Sequence, residues 1–581
     1  MCGIAGILRF NNELIKVHDL KKMTDALIHR GPDDEGQWVS ECNSVGLGHR
    51  RLSIIDLSEN AHQPMHYLNR FSIVFNGEIY NYLELKTYLR GKNYQFSSNS
   101  DTEVLLALFA EKGKKMLQYL DGMFAFAIWD SLNNEMFCAR DRFGEKPFFY
   151  YLDKNVFVFA SEMKALWTYG IPKVIKEDSI YSYIETGIIE STNSTTETYF
   201  HNIKRLDSAT SLSITLDGNI DILQYWDLDS IEVNTDISFD EAKNKYFDLF
   251  KESIQYRLRS DVSIGSSLSG GIDSSSIVMM IDQLKVIDQG QKVFSARFNE
   301  FEKDEGIYID EVLQNCNNVT GLSIWPEKYQ ILDFIEKVVY HQEEPFGSSS
   351  ILAQWKVMEL AKDNNVTVLL DGQGADEYLA GYIPEYKSYL TQLFFENRSE
   401  YEIQLIRCQA LNKNQYSIPH YLNTESLRMK IGRYKKQMFS QKIHYEKLKD
   451  RLKFKLTSSG LKELLRYADR NSMAFSREVR LPFLNHKLIE FVFSLPDEFL
   501  LKDGWSKYIH RKSFDKILPK KICWRKDKIG YEPPQERWLN DKYIKEIILS
   551  QKNKFNIPDN QMNKGSYANS MEWKLFIASF F

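Results

Sequence analysis

The sequence predicts two domains: an α+β sandwich in which strands dominate, then an α/β domain with a parallel sheet that ends in a helical carboxy-terminal region. Three observations carry that expectation. Up to about residue 161 the apolar segments are short and of period two, the pattern of half-buried strands. From Ser238 onward strands and helices take turns, which indicates a parallel sheet covered by helices. From Glu385 to the end helical spacing prevails. At 581 residues and 43% hydrophobic content, the chain can bury large cores and is too long to share one.

In the first region the strands are FSIVFN (71–76), MFAFAIW (123–129), EMFCAR (135–140) and VFVFAS (156–161), with helical spacing over Leu83 to Leu89 and Thr102 to Met116. A weakly patterned stretch from Asp207 to Asp236 holds the turn DGN (217–219) and reads as a last hairpin and a connector. The first domain is therefore placed at 2–210, the connector at 211–236 and the second domain at 237–581. Ser238 and Glu241 form a capping box ahead of Ala242, Tyr246, Leu249, Phe250, Ile254 and Leu258 on one helical face. A strand (Val262 to Leu268), a Ser/Gly loop, a helix (Ser275 to Leu284), a strand (Lys292 to Phe298) and a buried strand VTVLLDG (366–372) follow.

Composition narrows the function. With 74 basic and 79 acidic residues, a formal net charge of -5, nothing draws the chain to nucleic acid or an anionic membrane, so small-molecule substrates are the expected partners. Cys2, Cys42, Cys138, Cys316, Cys408 and Cys523 form no C-x-x-C pair, which argues against a zinc site or disulfide framework and fits a reducing, cytoplasmic setting. The opening MCGIAGILRF is too short for a signal h-region, and no stretch reaches the roughly 18 apolar residues of a membrane span.

Cys2 stands directly behind Met1. Removal of that methionine would leave a thiol beside its own α-amine, whose reference pKa of about 7.7 to 8.0 suits it to take the thiol proton. Alone, such a cysteine is more readily read as a small buried hydrophobe. Its context decides: CGIAGI is followed in order by HRGPDD (29–34), RRLSIID (50–56), NGEIYN (76–81) and SDTE (100–103). This series resembles a class II glutamine amidotransferase domain with the amino-terminal nucleophile (Ntn) hydrolase fold. The resemblance implies Cys2 as nucleophile, Asn76 and Gly77 as the oxyanion hole, Arg51 on the glutamine α-carboxylate, and Glu78 and Asp101 on its α-amino group. Leu52, Ser53, Ile54 and Ile55 complete the implied glutamine site. The chemistry agrees, since a guanidinium fork matches a carboxylate and an amide beside a glycine N–H suits an oxyanion.

In the second domain SLSGGIDSSS (267–276) lies between a strand and a helix, where glycines let backbone amides approach an anion at a helix amino terminus. No G-x-x-x-x-G-K-[ST] occurs in the chain, so this is not a Walker A loop. It resembles the SGGxDS loop of ATP pyrophosphatases. That resemblance implies ATP bound by Ser267, Leu268, Ser269, Gly270, Gly271, Asp273 and Ser274, with Arg297, Asp371 and Gly372. The acidic string DGQGADE (371–377) follows a second strand, and Asp273 and Asp376 are the candidate Mg²⁺ ligands, hard carboxylate donors beside a triphosphate. Lys507 in DGWSKYIHR resembles a family lysine that supports transition-state charge. HQEEPFGSSS (341–350), SREVRLPFLNH (476–486) and WRKDKIGYEPP (524–534) extend the similarity to the asparagine synthetase family over nearly the whole chain.

The resemblance implies that ammonia freed from glutamine at Cys2 displaces AMP from an ATP-activated carboxylate, giving a carboxamide, glutamate, AMP and pyrophosphate. A hydrolase using Cys2 alone would leave SGGIDSS without a purpose. One departure bears on the acceptor: the family has a glutamate in SGEGSDE where this chain has Gln373, and a serine where it has Asp371. A neutral amide cannot act as a general base. Aspartate is the expected acceptor, and a uronic acid of a surface polysaccharide or the diaminopimelate of a cell-wall precursor is the alternative. A homodimer is compatible with the resemblance.

Overall fold

Alternation along β1 (Gly3–Arg9) shows how the first domain is layered. Ile4 and Leu8 turn inward against Val74, Ala125, Ala127, Met136 and Cys138, while Ala5 and Ile7 turn outward to helices. The computed structural model describes residues 2–11, 13–189, 195–285, 287, 290–326, 331–411, 446–526, 532–562 and 570–581. Its next strands are β2 (Asp34–Val39), β3 (Val45–Arg51), β4 (Met65–Tyr67), β5 (Phe71–Ile79), β6 (Gly122–Asp130) and β7 (Glu135–Arg140). They continue with β8 (Phe149–Leu152), β9 (Val156–Ala160), β10 (Lys204–Arg205), β11 (Thr210–Thr215) and β12 (Ile220–Gln224). Two antiparallel sheets, in the orders β10-β8-β9-β1-β3-β2 and β12-β11-β7-β6-β5-β4, face each other. Helices Val17–Asp25 and Met163–Tyr169 cover the first, and Tyr82–Arg90 and Asp101–Lys112 cover the second. This is the expected α+β sandwich.

Two expectations are corrected. The hairpin β11–β12 pairs with β7, so 211–224 of the expected connector is sheet and not linker. The helix expected over Thr102 to Met116 stops at Lys112, because Gly113 (φ 57°) turns the chain left-handed and a 3₁₀ segment, Gly113–Gln118, takes over.

The second domain is built on β13 (Ile264–Ser267), β14 (Gln291–Ala296), β15 (Val319–Ile324), β16 (Val368–Leu370) and β17 (Glu478–Arg480). All are parallel, in the order β15-β14-β13-β16-β17. The helix Phe239–Arg257 opens with the expected capping box: Ser238 accepts from the Glu241 N–H at 3.3 Å, and Glu241 accepts from the Ser238 N–H at 3.1 Å. The helix after β13 runs Ile272–Leu284, three residues earlier than the expected Ser275, which puts Asp273 and Ser274 in its first turn.

Buried charges join the domains. Arg30 makes two 2.9 Å hydrogen bonds to Asp469 and one of 2.7 Å to Glu162, and Arg470 pairs Glu162 and Glu343 at 2.8 Å each. Arg205 and Arg466 share Glu344 at 2.9 Å. Stripping one partner from such a pair costs about 3–5 kcal/mol, so this interface holds the domains in one arrangement. No helix among the described residues is long and apolar enough to cross a membrane.

Candidate active sites

Cys2 is buried immediately before β1 and is held at both ends: its N–H donates to Asn76 Oδ1 at 3.0 Å, and its carbonyl accepts from Arg30 Nε at 3.0 Å. Asn76 and Gly77 lie side by side in β5. The Asn76 Nδ2 is buried with no hydrogen-bond partner, a bare donor of the kind an oxyanion needs. Gly77 (φ 153°) has its Cα pressed against β6, where a Cβ would come within 2.1 Å of the Met123 carbonyl. Any side chain there would force β5 away from β6. Burial pushes the Cys2 thiol above its ordinary range, against the Leu52 backbone and Arg51, which pull it down. Ionising it therefore calls for a base within reach.

Asp101 opens its helix and accepts from the Ile79 N–H at 2.9 Å; burial lifts its pKa to about 6. Burial also raises Glu78 well above the carboxylate range, with Glu478 and Asp101 nearby adding to the effect. The Arg51 guanidinium donates to the carbonyls of Ser58, at 2.9 Å, and Asp56. Leu52, Ile54 and Ile55 are buried, and the Ser53 N–H bonds Asp33 at 2.8 Å.

The second site forms where two loops leave the sheet together, because Ser266 of β13 pairs with Leu370 of β16. Gly270 (φ 75°) turns the first loop under Tyr308, and the Ser269 hydroxyl meets Ser274 Oγ at 3.1 Å and the Gly271 N–H at 3.3 Å. Gly372 sits against the first turn of the helix, where a Cβ would lie 3.0 Å from the Ser274 nitrogen. Burial raises the Asp371 carboxyl, opposed by hydrogen bonds from its own loop and Ser267.

Lys507 is buried between Asp273 and Asp376, its Nζ 2.5 Å from one and 2.6 Å from the other. Burial would lower this ammonium, and the two carboxylates outweigh it and hold it above the ordinary lysine value. The trio keeps one negative charge and its donors are carboxylate oxygens, so the residues present fit a hard divalent cation. Gln373 Oε1 is buried without a hydrogen-bond partner. Arg297 is engaged by Asp304 at 3.0 Å and packs over Gly306. Residues 527–531 of WRKDKIGYEPP lie outside the described residues.

Sequence reasoning left three residues without a role. Arg30 lies inside HRGPDD, where no local pattern marks it, and Glu478 and Arg480 lie inside SREVRLPFLNH, where opposite charges alternating beside apolar residues are the one signal. A further cluster, His29, Glu162 and His341, brings possible ligand atoms within 4.8 Å of one another. Glu162 already neutralises Lys164 at 2.5 Å besides Arg30 and Arg470, so we assign no cation there.

A glutamine amidotransferase domain model matches residues 1–226 and an asparagine synthase model matches residues 245–568. Asparagine synthetase [glutamine-hydrolyzing] 1 of Bacillus subtilis is 31% identical, over 94% of this chain and 90% of its own. The chain belongs to the glutamine-hydrolysing asparagine synthetase family. A third synthetase of that bacterium is 32% identical over 90% of this chain and 86% of its own. A putative asparagine synthetase of Methanocaldococcus jannaschii is 37% identical over 67% and 77%. Within this family the two sites described above fall one in each matched region.

Proposed function

We propose that the chain is a glutamine-dependent, AMP-forming carbon–nitrogen ligase that makes asparagine from aspartate. At the first site the Cys2 α-amine, exposed by loss of Met1 and held on Asn76, takes the thiol proton. The thiolate attacks the glutamine amide carbon, Asn76 Nδ2 and the Gly77 N–H meet the oxyanion, ammonia leaves, and water releases glutamate from the thioester. Arg51 binds the α-carboxylate, and Glu78 and Asp101 bind the α-ammonium, among Leu52, Ser53, Ile54 and Ile55.

At the second site the acceptor carboxylate attacks the α-phosphorus of ATP, pyrophosphate leaves, and ammonia displaces AMP from the acyl-adenylate. Ser267, Leu268, Ser269, Gly270, Gly271, Asp273, Ser274, Asp371 and Gly372 would cradle the nucleotide. Asp273 and Asp376 would hold Mg²⁺, which supplies neutralisation of phosphate charge. The buried Lys507 ammonium between those two carboxylates is the observation that carries the reading, because it fixes a positive charge where the two sheet-edge loops meet. Arg297 reaches the nucleotide only by sharing or leaving Asp304. Leu52, Ile54, Ile55, Tyr80 and Met123 share one apolar cluster with Leu268, Ala375 and Leu484, which supports a water-poor path for neutral ammonia.

A second acceptor reading is favoured by Gln373, whose bare Oε1 awaits a hydrogen-bond donor such as a sugar hydroxyl or an additional ammonium. The test supplies ATP, Mg²⁺ and ammonium with aspartate, a hexuronic acid sugar nucleotide or a diaminopimelate-containing precursor, and measures AMP, pyrophosphate and amide. Turnover with aspartate alone upholds asparagine synthesis. Turnover with another acid and none with aspartate refutes it. The six free cysteines support a reducing compartment such as the cytoplasm, and light scattering tests the homodimer we expect.

A further inference from the structure

Strand β17 belongs to the second domain and reaches both sites. Arg480 is fully buried; its Nε donates to Glu478 at 2.5 Å, and its Nη1 donates to the carbonyls of Arg257 and Arg259 at 2.8 and 2.6 Å. Its Nη2 has no hydrogen-bond partner and faces Glu78 Oε1 at 3.7 Å, while Glu78 Oε2 is also buried without a partner. The carbonyl of the same residue accepts the Asp371 N–H at 3.0 Å. One residue thus has its side chain at the glutamine site and its backbone on the acceptor loop.

We propose that Glu478 and Arg480 complete the glutamine site from the second domain, and that glutamine binding draws Glu78 onto Arg480 and thereby sets the Asp371 loop. This rests on the reading of Glu78 as a partner of the substrate α-ammonium. An ammonium beside Glu78 favours its ionised form. The ionised carboxylate then attracts the unsatisfied guanidinium N–H, and closing the 3.7 Å gap to a charge-assisted hydrogen bond takes a shift of about 1 Å. The strand that carries Arg480 pairs with β16, so the shift is delivered to the root of the loop holding Gln373. Arg480 acts here as a positioning residue.

The test uses the full chain with ATP, acceptor and glutamine. Arg480→Lys keeps the charge and loses the fork that serves Glu478, Glu78 and two carbonyls together. The glutamine KM is expected to rise about tenfold or more while kcat changes less than about threefold. Glutamate released per AMP formed is expected to climb several-fold above the wild-type ratio. Glu478→Gln, equal in size, is expected to move the same ratio and decides the matter if Arg480→Lys does not fold, as its melting midpoint reports. A folded variant with wild-type KM and wild-type glutamate-to-AMP ratio overturns the proposal and leaves Arg480 a structural residue. Wild-type enzyme that fails to hydrolyse glutamine would overturn the underlying reading of the Cys2 site instead.

Discussion

Asp376→Asn probes the second site through Lys507. The ammonium is about 2% exposed and has carboxylate oxygens at 2.5 and 2.6 Å, so the substitution removes one of its two countercharges at nearly constant volume. A hydrogen bond to a charged group contributes about 1.5–3 kcal/mol, and about 1.4 kcal/mol is tenfold in rate, so AMP formation should fall roughly ten- to 150-fold. Loss of the oxygen that Asp376 would offer Mg²⁺ in the proposed function acts in the same direction. Folding raises the Lys507 value, burial opposing and the two carboxylates prevailing. Its stabilising contribution is therefore fully present below the ordinary lysine value of about 10.4 and fades only as pH rises through the higher folded value. Near neutral pH the wild-type ammonium is charged, and removing Asp376 takes away one of the two carboxylates that hold it so against burial. The assay follows AMP and pyrophosphate with ammonium as nitrogen source, and glutamate release in parallel. AMP formation within about twofold of wild type, in a folded Asp376→Asn enzyme, would refute the reasoning, as would ADP as the wild-type product.

Cys2→Ala should abolish glutamate release and leave ammonium-dependent amide formation, and residues added before Cys2 should silence glutamine use in the same way; full activity in the extended protein would mean that another base serves the thiol. Asn76→Ala should lower glutaminase kcat about 10²–10³-fold, since it removes both the bare Nδ2 donor and the acceptor for the Cys2 N–H, and a loss under about tenfold would place the oxyanion elsewhere. Burial lifts Asp101 to about 6, so it is neutral below that pH and cannot hold an ammonium: the glutamine KM should rise about tenfold from about pH 7 to about pH 5, and a flat profile would remove Asp101 from the site. Ser238→Ala should cost about 1 kcal/mol in chemical denaturation through loss of the helix cap, with little change in either activity.

Legibility followed the range of the interactions. Period-two strands, the Ser238 capping box and the SGGIDSS turn are local, and each stands where its residues placed it, apart from the early start of the helix at Ile272. Elements defined by partners far along the chain were not legible. Strand β17 is three residues long, too short for a period, and exists because β16 pairs with it; the hairpin β11–β12 was legible from its DGN turn, but its place in the first domain's sheet was not, because its partner β7 lies some seventy residues earlier. In the first site the order of motifs named the residues, yet only the fold shows that Asn76 grips the Cys2 nitrogen across 74 residues. The Arg297 expectation shows the reverse: a plausible phosphate ligand by position is held by Asp304 seven residues on, a contact no motif announces.

The two sites are also less separate than their place in the sequence suggests. Arg30 holds the Cys2 carbonyl with its Nε and Asp469 of the second domain with its Nη1 and Nη2. Cys2 is therefore positioned by a chain of hydrogen bonds that runs through Arg30 to Asp469, 439 residues beyond Arg30, in a helix, Leu461–Ala474, that belongs to the second domain. Burial would lower the Arg30 guanidinium, and Asp469 and Glu162 more than compensate, so the link stays charged at any working pH. Because every member of this network is buried, none can let go without stranding a charge in a low-dielectric interior. On the proposed function, ammonia transfer would need both a fixed domain arrangement and a correctly placed thiol, and one set of ion pairs bears on the two together: the contact that joins the domains is the contact that holds Cys2.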